Sequence, residues 1–154
     1  MSVRVVKPTP EHIDAIASRM RAADVAELRA SSGRSPADAL QYSVARSDFA
    51  FTVEFNGKPE TMFGCGTIDV IGKVGAPWLL GTDAVETNYR HFLRGSVFWM
   101  RKMRSEYSLL RNAVDDRNEV SKRWLAWLGF SLGDTVPMGY ERMPFRIFEM
   151  KGYA

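Results

Sequence analysis

Residues able to do chemistry are sparse in this sequence. Cys65 is the one cysteine, and no histidine stands near it, so it reads as a small core residue, not a nucleophile. With that cysteine and two histidines, His12 and His91, a dedicated transition-metal site is not expected. His12 falls in the first turn of a helix and His91 on the outer face of another, and both are expected to be solvated. The densest charge cluster is cationic. Arg90, Arg94, Arg101 and Lys102 surround Phe98, which points away from the apolar stripe of its helix. A basic face of this kind is either solvated or a surface for a protein partner, a second copy or a nucleic acid, the first two through Arg94, Phe98 and Arg101. No recognised nucleic-acid motif accompanies it. The net charge of +3 suits an anionic ligand without demanding one.

The elements that must position these residues follow from periodicity. Val3–Val6 alternates as a short strand, and Thr9-Pro10-Glu11 starts a helix with a capping hydroxyl and a proline in its first turn. Asp24 to about Ala30 forms a second helix, stopped by Ser31-Ser32-Gly33, and Ser35-Pro36 starts a third with Leu40 and Val44 inward. Phe49, Phe51, Val53 and Phe55 give the period-two pattern of a half-buried strand. Asn56-Gly57 supplies a hairpin turn into a strand from Thr61 to Val70, with Pro59 disturbing the pairing beside the turn.

A loop over Gly72–Pro77 then leads to a central strand, Trp78–Thr82. The next helix, Tyr89 to Tyr107, buries Tyr89, Phe92, Leu93, Val97, Trp99, Met100, Met103 and Tyr107. Leu109–Val114 is a strand. Asp116 or Asn118 caps a helix through Leu128 that buries Val120, Trp124, Trp127 and Leu128 and ends at Gly129. Two last strands, Phe130–Leu132 and Tyr140–Met150, are joined by a turn containing Pro137. The order predicts an α/β protein with a mixed six- to seven-stranded sheet flanked by about four helices, as one domain over residues 1–154.

At 45% hydrophobic and 25% charged residues, the chain has the composition of an ordinary globular protein. It shows no apolar signal core and no stretch near the roughly 20 apolar residues of a membrane span. A cytoplasmic location is therefore expected.

The segment Asn118-Glu-Val-Ser121-Lys-Arg-Trp124-Leu125-Ala-Trp127-Leu128-Gly129-Phe130 resembles the last conserved stretch of the GNAT (GCN5-related N-acetyltransferase) family. There an Asn, a small residue three positions on and a closing Leu-Gly-Phe lie on the helix before the sixth strand. The element order matches over nearly the whole chain. A narrower resemblance rests on Trp78–Thr82, the basic-aromatic helix, Asn118 with Ser121, and Phe145-Arg-Ile-Phe148. It is to a small GNAT-like family of tailed bacteriophages, whose members are labelled acyltransferases or internal virion proteins; a phage protein would work in the host cytoplasm.

The resemblance implies acetyl-CoA lying in a gap between the fourth and fifth strands. Leu80, Gly81 and Thr82 would pair with the pantetheine, and Arg90 would stand near the diphosphate at the tip of the following helix. Asn118 would orient the cofactor or merely cap its helix. Ser121 would be the family's small residue. The implied reaction is N-acylation of an amine, on a small molecule or a protein, by direct attack on the thioester. Acids that could serve as base are Asp83, Glu54 and Asp69, with Asp83 nearest the expected gap, and any of them would need a pKa raised by burial.

Two departures stand against the pattern. The segment Asp83-Ala-Val-Glu86-Thr-Asn-Tyr-Arg90 has no glycine and brings two acids toward a diphosphate. Leu125 stands where many members carry a proton-donating Tyr. The alternative they raise is a catalytically lapsed GNAT fold, kept for phage assembly or partner binding.

Overall fold

A computed structural model describes residues Met1–Ala154. The phenylalanine-rich alternation forms β2 (Phe49–Phe55), and Asn56 and Gly57, at φ 51° and 79°, turn the chain into β3 (Lys58–Asp69). Pairing thus begins beside the turn, three residues before the expected Thr61. Pro59 lies opposite Glu54, and the register slips between Val53 and Glu54, because a proline cannot donate to the ladder. On the other edge of β2 lies β1 (Val3–Val6), antiparallel to it.

Three short helices separate β1 from β2. In α1 (Pro10–Ala17) the Thr9 hydroxyl accepts from the His12 N–H, and His12 Nδ1 accepts from the Thr9 N–H. His12 is therefore half-buried and part of a reciprocal cap, not the solvated residue expected. The others are α2 (Ala22–Ser31) and α3 (Pro36–Arg46), the latter capped by Ser35.

Strand β4 (Val74–Gly81) starts four residues before the predicted Trp78, so most of the expected loop is strand. Lys73, at φ 53°, reverses the chain, and β4 then pairs along β3 from Val74 to Gly81. Thr82 makes only an isolated bridge to Met20. After a single unanticipated turn, α4 (Ala84–Thr87), come α5 (Tyr89–Glu106), β5 (Leu109–Asp115) and α6 (Glu119–Leu128). Gly129, at φ 105°, ends α6.

The chain closes with β6 (Ser131–Met138) and β7 (Met143–Lys151). Pro137 lies inside β6, opposite Pro144, and not in the turn. The reversal falls at Gly139–Arg142 instead. Gly139 is left-handed (φ 75°), and a Cβ there would overlap the Ala30 carbonyl oxygen, so this turn is seated on the end of α2.

The seven strands form one sheet in the order β1-β2-β3-β4-β5-β7-β6, antiparallel throughout except between β4 and β5. Side chains alternate across it. Met62 and Leu80 meet Ile13, Ile16, Ala39 and Leu40 on the α1 and α3 face. On the other face Phe63, Cys65, Leu110, Val114 and Phe148 meet Met103 and Tyr107 at the end of α5.

Two expected core residues are exposed, Tyr89 at 42% and Trp127 at 59%. On α6 it is Leu125 and Leu128 that pack against the core. No helix is long and apolar enough to cross a membrane.

Candidate active site between the parallel strands

Strands β4 and β5 are joined at Val74–Leu109 and Gly75–Leu110 and then part. Each is held on its other edge: β4 by β3 out to Gly81, and β5 by β7 from Leu109 to Asp115. The sheet therefore stays intact while a wedge opens inside it. At the apex Gly75 leaves room for the Tyr107 ring, which a Cβ would approach to 2.7 Å. Cys65 lies beside it with no exposed surface, and burial pushes its thiol up to about 12, so it is inert.

Beyond the apex the wedge widens into a cavity of about 350 Å³. Its walls include Leu79, Phe92, Trp99, Trp124 and Leu125, with Leu28, Met138 and Phe145 toward α2. Asn112 Nδ2 crosses it to the Pro77 carbonyl (2.8 Å). Pro77 can occupy a central strand because its missing N–H faces this gap. Gly81 turns both backbone groups to the same edge, so Leu79, midway between Pro77 and Gly81, does too.

The resemblance placed Leu80, Gly81 and Thr82 at the cofactor. In the structure the Gly81 N–H donates to Asp24 Oδ2 (3.0 Å), and its carbonyl accepts from the Arg21 N–H (2.9 Å). The Leu80 carbonyl accepts from the Thr61 hydroxyl (2.9 Å). Thr82 donates its N–H to the Glu60 carbonyl (2.8 Å), and its hydroxyl bonds the Glu60 carboxylate. Leu79 alone has its backbone turned into the gap with no such partner from α2 or β3.

Arg21, 2% exposed, spans the outer end of the wedge. Its Nη2 donates to Asp24 Oδ1 (2.8 Å) and to Ser121 Oγ (3.1 Å), and Nη1 lies 3.4 Å from Glu86 Oε2. The guanidinium also sits 5.3 Å from the Trp124 ring. Burial alone would pull its pKa down, but Asp24 and then Glu86 hold it above its ordinary value.

One turn along α2 is Glu27, a partly buried acid lining the cavity. Its Oε1 accepts from the Asp115 N–H (2.8 Å). Burial pushes the Glu27 carboxyl up to about 7; that hydrogen bond offsets part of the rise, and the charges of Asp24 and Asp115 add to it. Asp115 is buried too, but Arg117 (2.6 Å) overcomes the effect and holds it below the usual carboxylate range.

Asn118 caps α6, its Oδ1 accepting from the Ser121 N–H (3.3 Å), while its buried Nδ2, beside Glu27, has no hydrogen-bond partner of good geometry. Asn118 and Ser121 are thus brought to the wedge. Asn118→Ala is expected to cost about 1 kcal/mol through the lost cap, read as a lower urea midpoint with an unchanged slope.

Asp83 and Arg90 are not brought to it. Asp83 is exposed at the start of α4 and does not line the cavity. Arg90 is exposed and bonds the Tyr89 hydroxyl (3.2 Å). Arg94, Arg101 and Lys102 are exposed around Phe98, itself 63% exposed.

Sequence reasoning missed Arg21, Asp24, Glu27 and Leu79. The available signal was the three-residue spacing of Arg21, Asp24 and Glu27, which sets all three on one helical face.

By sequence, the chain matches no protein-family model and no curated protein. By structure it is similar to yncA of Salmonella typhimurium, assigned to the acetyltransferases and solved with its cofactor acetyl-CoA. That match has TM-score 0.70 at 13% identity and covers 100% of this chain and 97% of that one. It is similar to AAC(6')-Ib in complex with ribostamycin and coenzyme A, with TM-score 0.71, 15% identity, and 98% and 94% of the two chains covered. A GNAT-family acetyltransferase from Streptococcus pneumoniae matches with TM-score 0.62 at 12% identity, over 99% and 100% of the two chains. The chain has the fold of the GNAT acetyltransferases.

Proposed function

We propose that the protein transfers an acyl group from acetyl-CoA to an amine, with Glu27 receiving the amine's proton inside the wedge. The observation that carries this is the parting of β4 from β5 after Gly75, with a carboxyl group poised near neutrality on the wall of the resulting cavity. A base titrating close to working pH is both free to accept a proton and basic enough to do so. Glu27 takes the role the sequence offered to Asp83.

The residues present fit the thioester arm of acetyl-CoA. The cavity is narrow and mostly apolar, Leu79 offers an N–H and a carbonyl to the gap, and the buried Asn118 Nδ2 is unsatisfied. Acetyl-CoA would supply an acyl carbon open to attack by an amine, with a thiolate as leaving group. Leu79 and Asn118 would hold the arm, and Trp99, Phe92 and Leu125 would keep water from it. Catalysis would rest on positioning and on the Glu27 proton transfer. Leu125 offers no acid to the thiolate, a tolerable loss for so weak a base.

Titration calorimetry with acetyl-CoA tests the reading: micromolar affinity is expected, and no heat at millimolar cofactor removes it. A second reading is a GNAT-fold protein without transferase activity, serving as a phage assembly or partner-binding protein. The engagement of both Gly81 backbone groups by α2, and Glu86 against Arg21, favour it.

A further inference from the structure

We infer that the wedge takes an apolar monoamine, an alkyl or arylalkyl amine carrying no carboxylate, phosphate or second charge. The inference rests on the proposed acyl transfer for what happens to the amine, but not for its binding. On the α2 side the cavity is walled by Leu28, Trp78, Met138 and Phe145, and its only charged lining residues are Asp24 and Glu27. No lysine or arginine lines it, and the one further titratable residue is His91, on α5 at the opposite side of the sheet.

Three cations near the mouth are engaged by carboxylates, although the buried Arg21 Nη1, 3.4 Å from Glu86, makes no hydrogen bond. Arg21 is held by Asp24, Ser121 and Glu86, Arg117 by Asp115, and Lys122 by Asp116 and Glu119. A carboxylate or phosphate on the acceptor would therefore lose its water and find no unpaired cation on the cavity wall, which is a heavy penalty. Asp24 is spent as well, on Arg21 and the Gly81 N–H. That leaves one available anion. Glu27 accepts from the Asp115 N–H through Oε1, and the Asn118 Nδ2 beside it makes no hydrogen bond of good geometry to it. One carboxylate among apolar walls is matched by one ammonium on an apolar body.

The ammonium gives one proton to Glu27. The freed nitrogen pair forms the bond to the acyl carbon as the carbon–sulfur bond breaks, its electrons staying on sulfur. The remaining surplus N–H proton ends on the thiol, and Glu27 returns its own to solvent.

The test is calorimetry of the intact protein alone at pH 8. The probes are 2-phenylethylamine, phenylalanine (the same body with a carboxylate) and putrescine (a second ammonium). Phenylethylamine is expected to bind at least ~30-fold more tightly than either, and Glu27→Gln to weaken it by a similar factor. Phenylalanine or putrescine binding as tightly, unchanged affinity in Glu27→Gln, or no saturable binding of phenylethylamine would each overturn the inference. Acetyl-CoA is titrated separately. Amine binding without acetyl-CoA binding keeps the amine site and removes acyl transfer, whereas acetyl-CoA binding alone removes only the amine.

Discussion

Glu27→Gln should flatten the pH profile of amine turnover near neutrality and at the same time make the protein more stable in alkaline buffer. The first effect follows from the proposed role. In the native protein Glu27 is protonated below about 7 and ionised above it, so kcat/KM for the amine should rise through that pH. Glutamine cannot take a proton. The rise should vanish, and the alkaline plateau should fall by roughly 10²–10⁴-fold, the usual contribution of general base catalysis.

The stability effect has the opposite sign because the folded protein holds this proton more tightly than the unfolded chain does. The Glu27 pKa rises from 4.5 to about 7 on folding. Its stabilising contribution is therefore complete below pH 4.5 and lost as pH rises through 7. The full swing is roughly 3 kcal/mol. Groups facing Glu27 are Asp24 from α2, Asp115 from β5 and Arg117 just beyond β5. Arg117 stays charged throughout this range, and Asp115 titrates below it. In the Glu27→Gln variant the amide oxygen still accepts from the Asp115 N–H, and the side chain never becomes charged. Urea unfolding at pH 4 and pH 8 checks this: similar stability at pH 4, and a variant more stable by up to roughly 3 kcal/mol at pH 8. Parallel stability curves would mean that Glu27 is not held near neutrality. A lost pH dependence without the stability gain would point instead to a rearranged wedge.

Local chemistry was legible in the sequence, and long-range pairing was not. The Phe49–Phe55 alternation, the Asn56-Gly57 turn, the Thr9 cap and Gly129 are each decided within a few residues, and the structure keeps them. The start of β4 at Val74 is decided by β3, twelve residues long and needing a partner, and by a left-handed Lys73 that no sequence pattern announces. Pro137 reads as a turn residue, but it lies opposite Pro144, where neither residue has an N–H to offer the other.

The same division runs through the site. Asn118 and Ser121 were legible because their spacing is that of one helical turn, and both come to the wedge. Arg21, Asp24 and Glu27 look like the solvated face of a short helix. Arg21 and Asp24 are buried, and Glu27 partly so, only because the start of α2 meets the gap between β4 and β5, strands from the middle and later part of the chain held apart on their outer edges by β3 and β7. Weak apolar patterning in α2 was a second hint beside their three-residue spacing, since a helix whose buried face is polar shows no apolar stripe.

That buried face gives the second large effect. Arg21→Met keeps length and apolar bulk but leaves Asp24 buried, with the Gly81 N–H as its remaining partner, and strips Glu86 and Ser121 of theirs. Breaking a buried pair from one side costs about 3–5 kcal/mol, mostly the penalty of the stranded charge. If that is the origin of the loss, removing the charge should restore much of it. Arg21→Met combined with Asp24→Asn keeps an oxygen for the Gly81 N–H while removing the anion, so the double variant should be more stable than Arg21→Met alone by about 2 kcal/mol. The Arg21 backbone bond to the Gly81 carbonyl is untouched in both, so α2 stays anchored to β4 and the comparison isolates the side chains. Urea denaturation of the four members of the cycle supplies the numbers. A double variant no better than the single one would mean that Arg21 stabilises the wedge through its packing on Trp124 and not through charge.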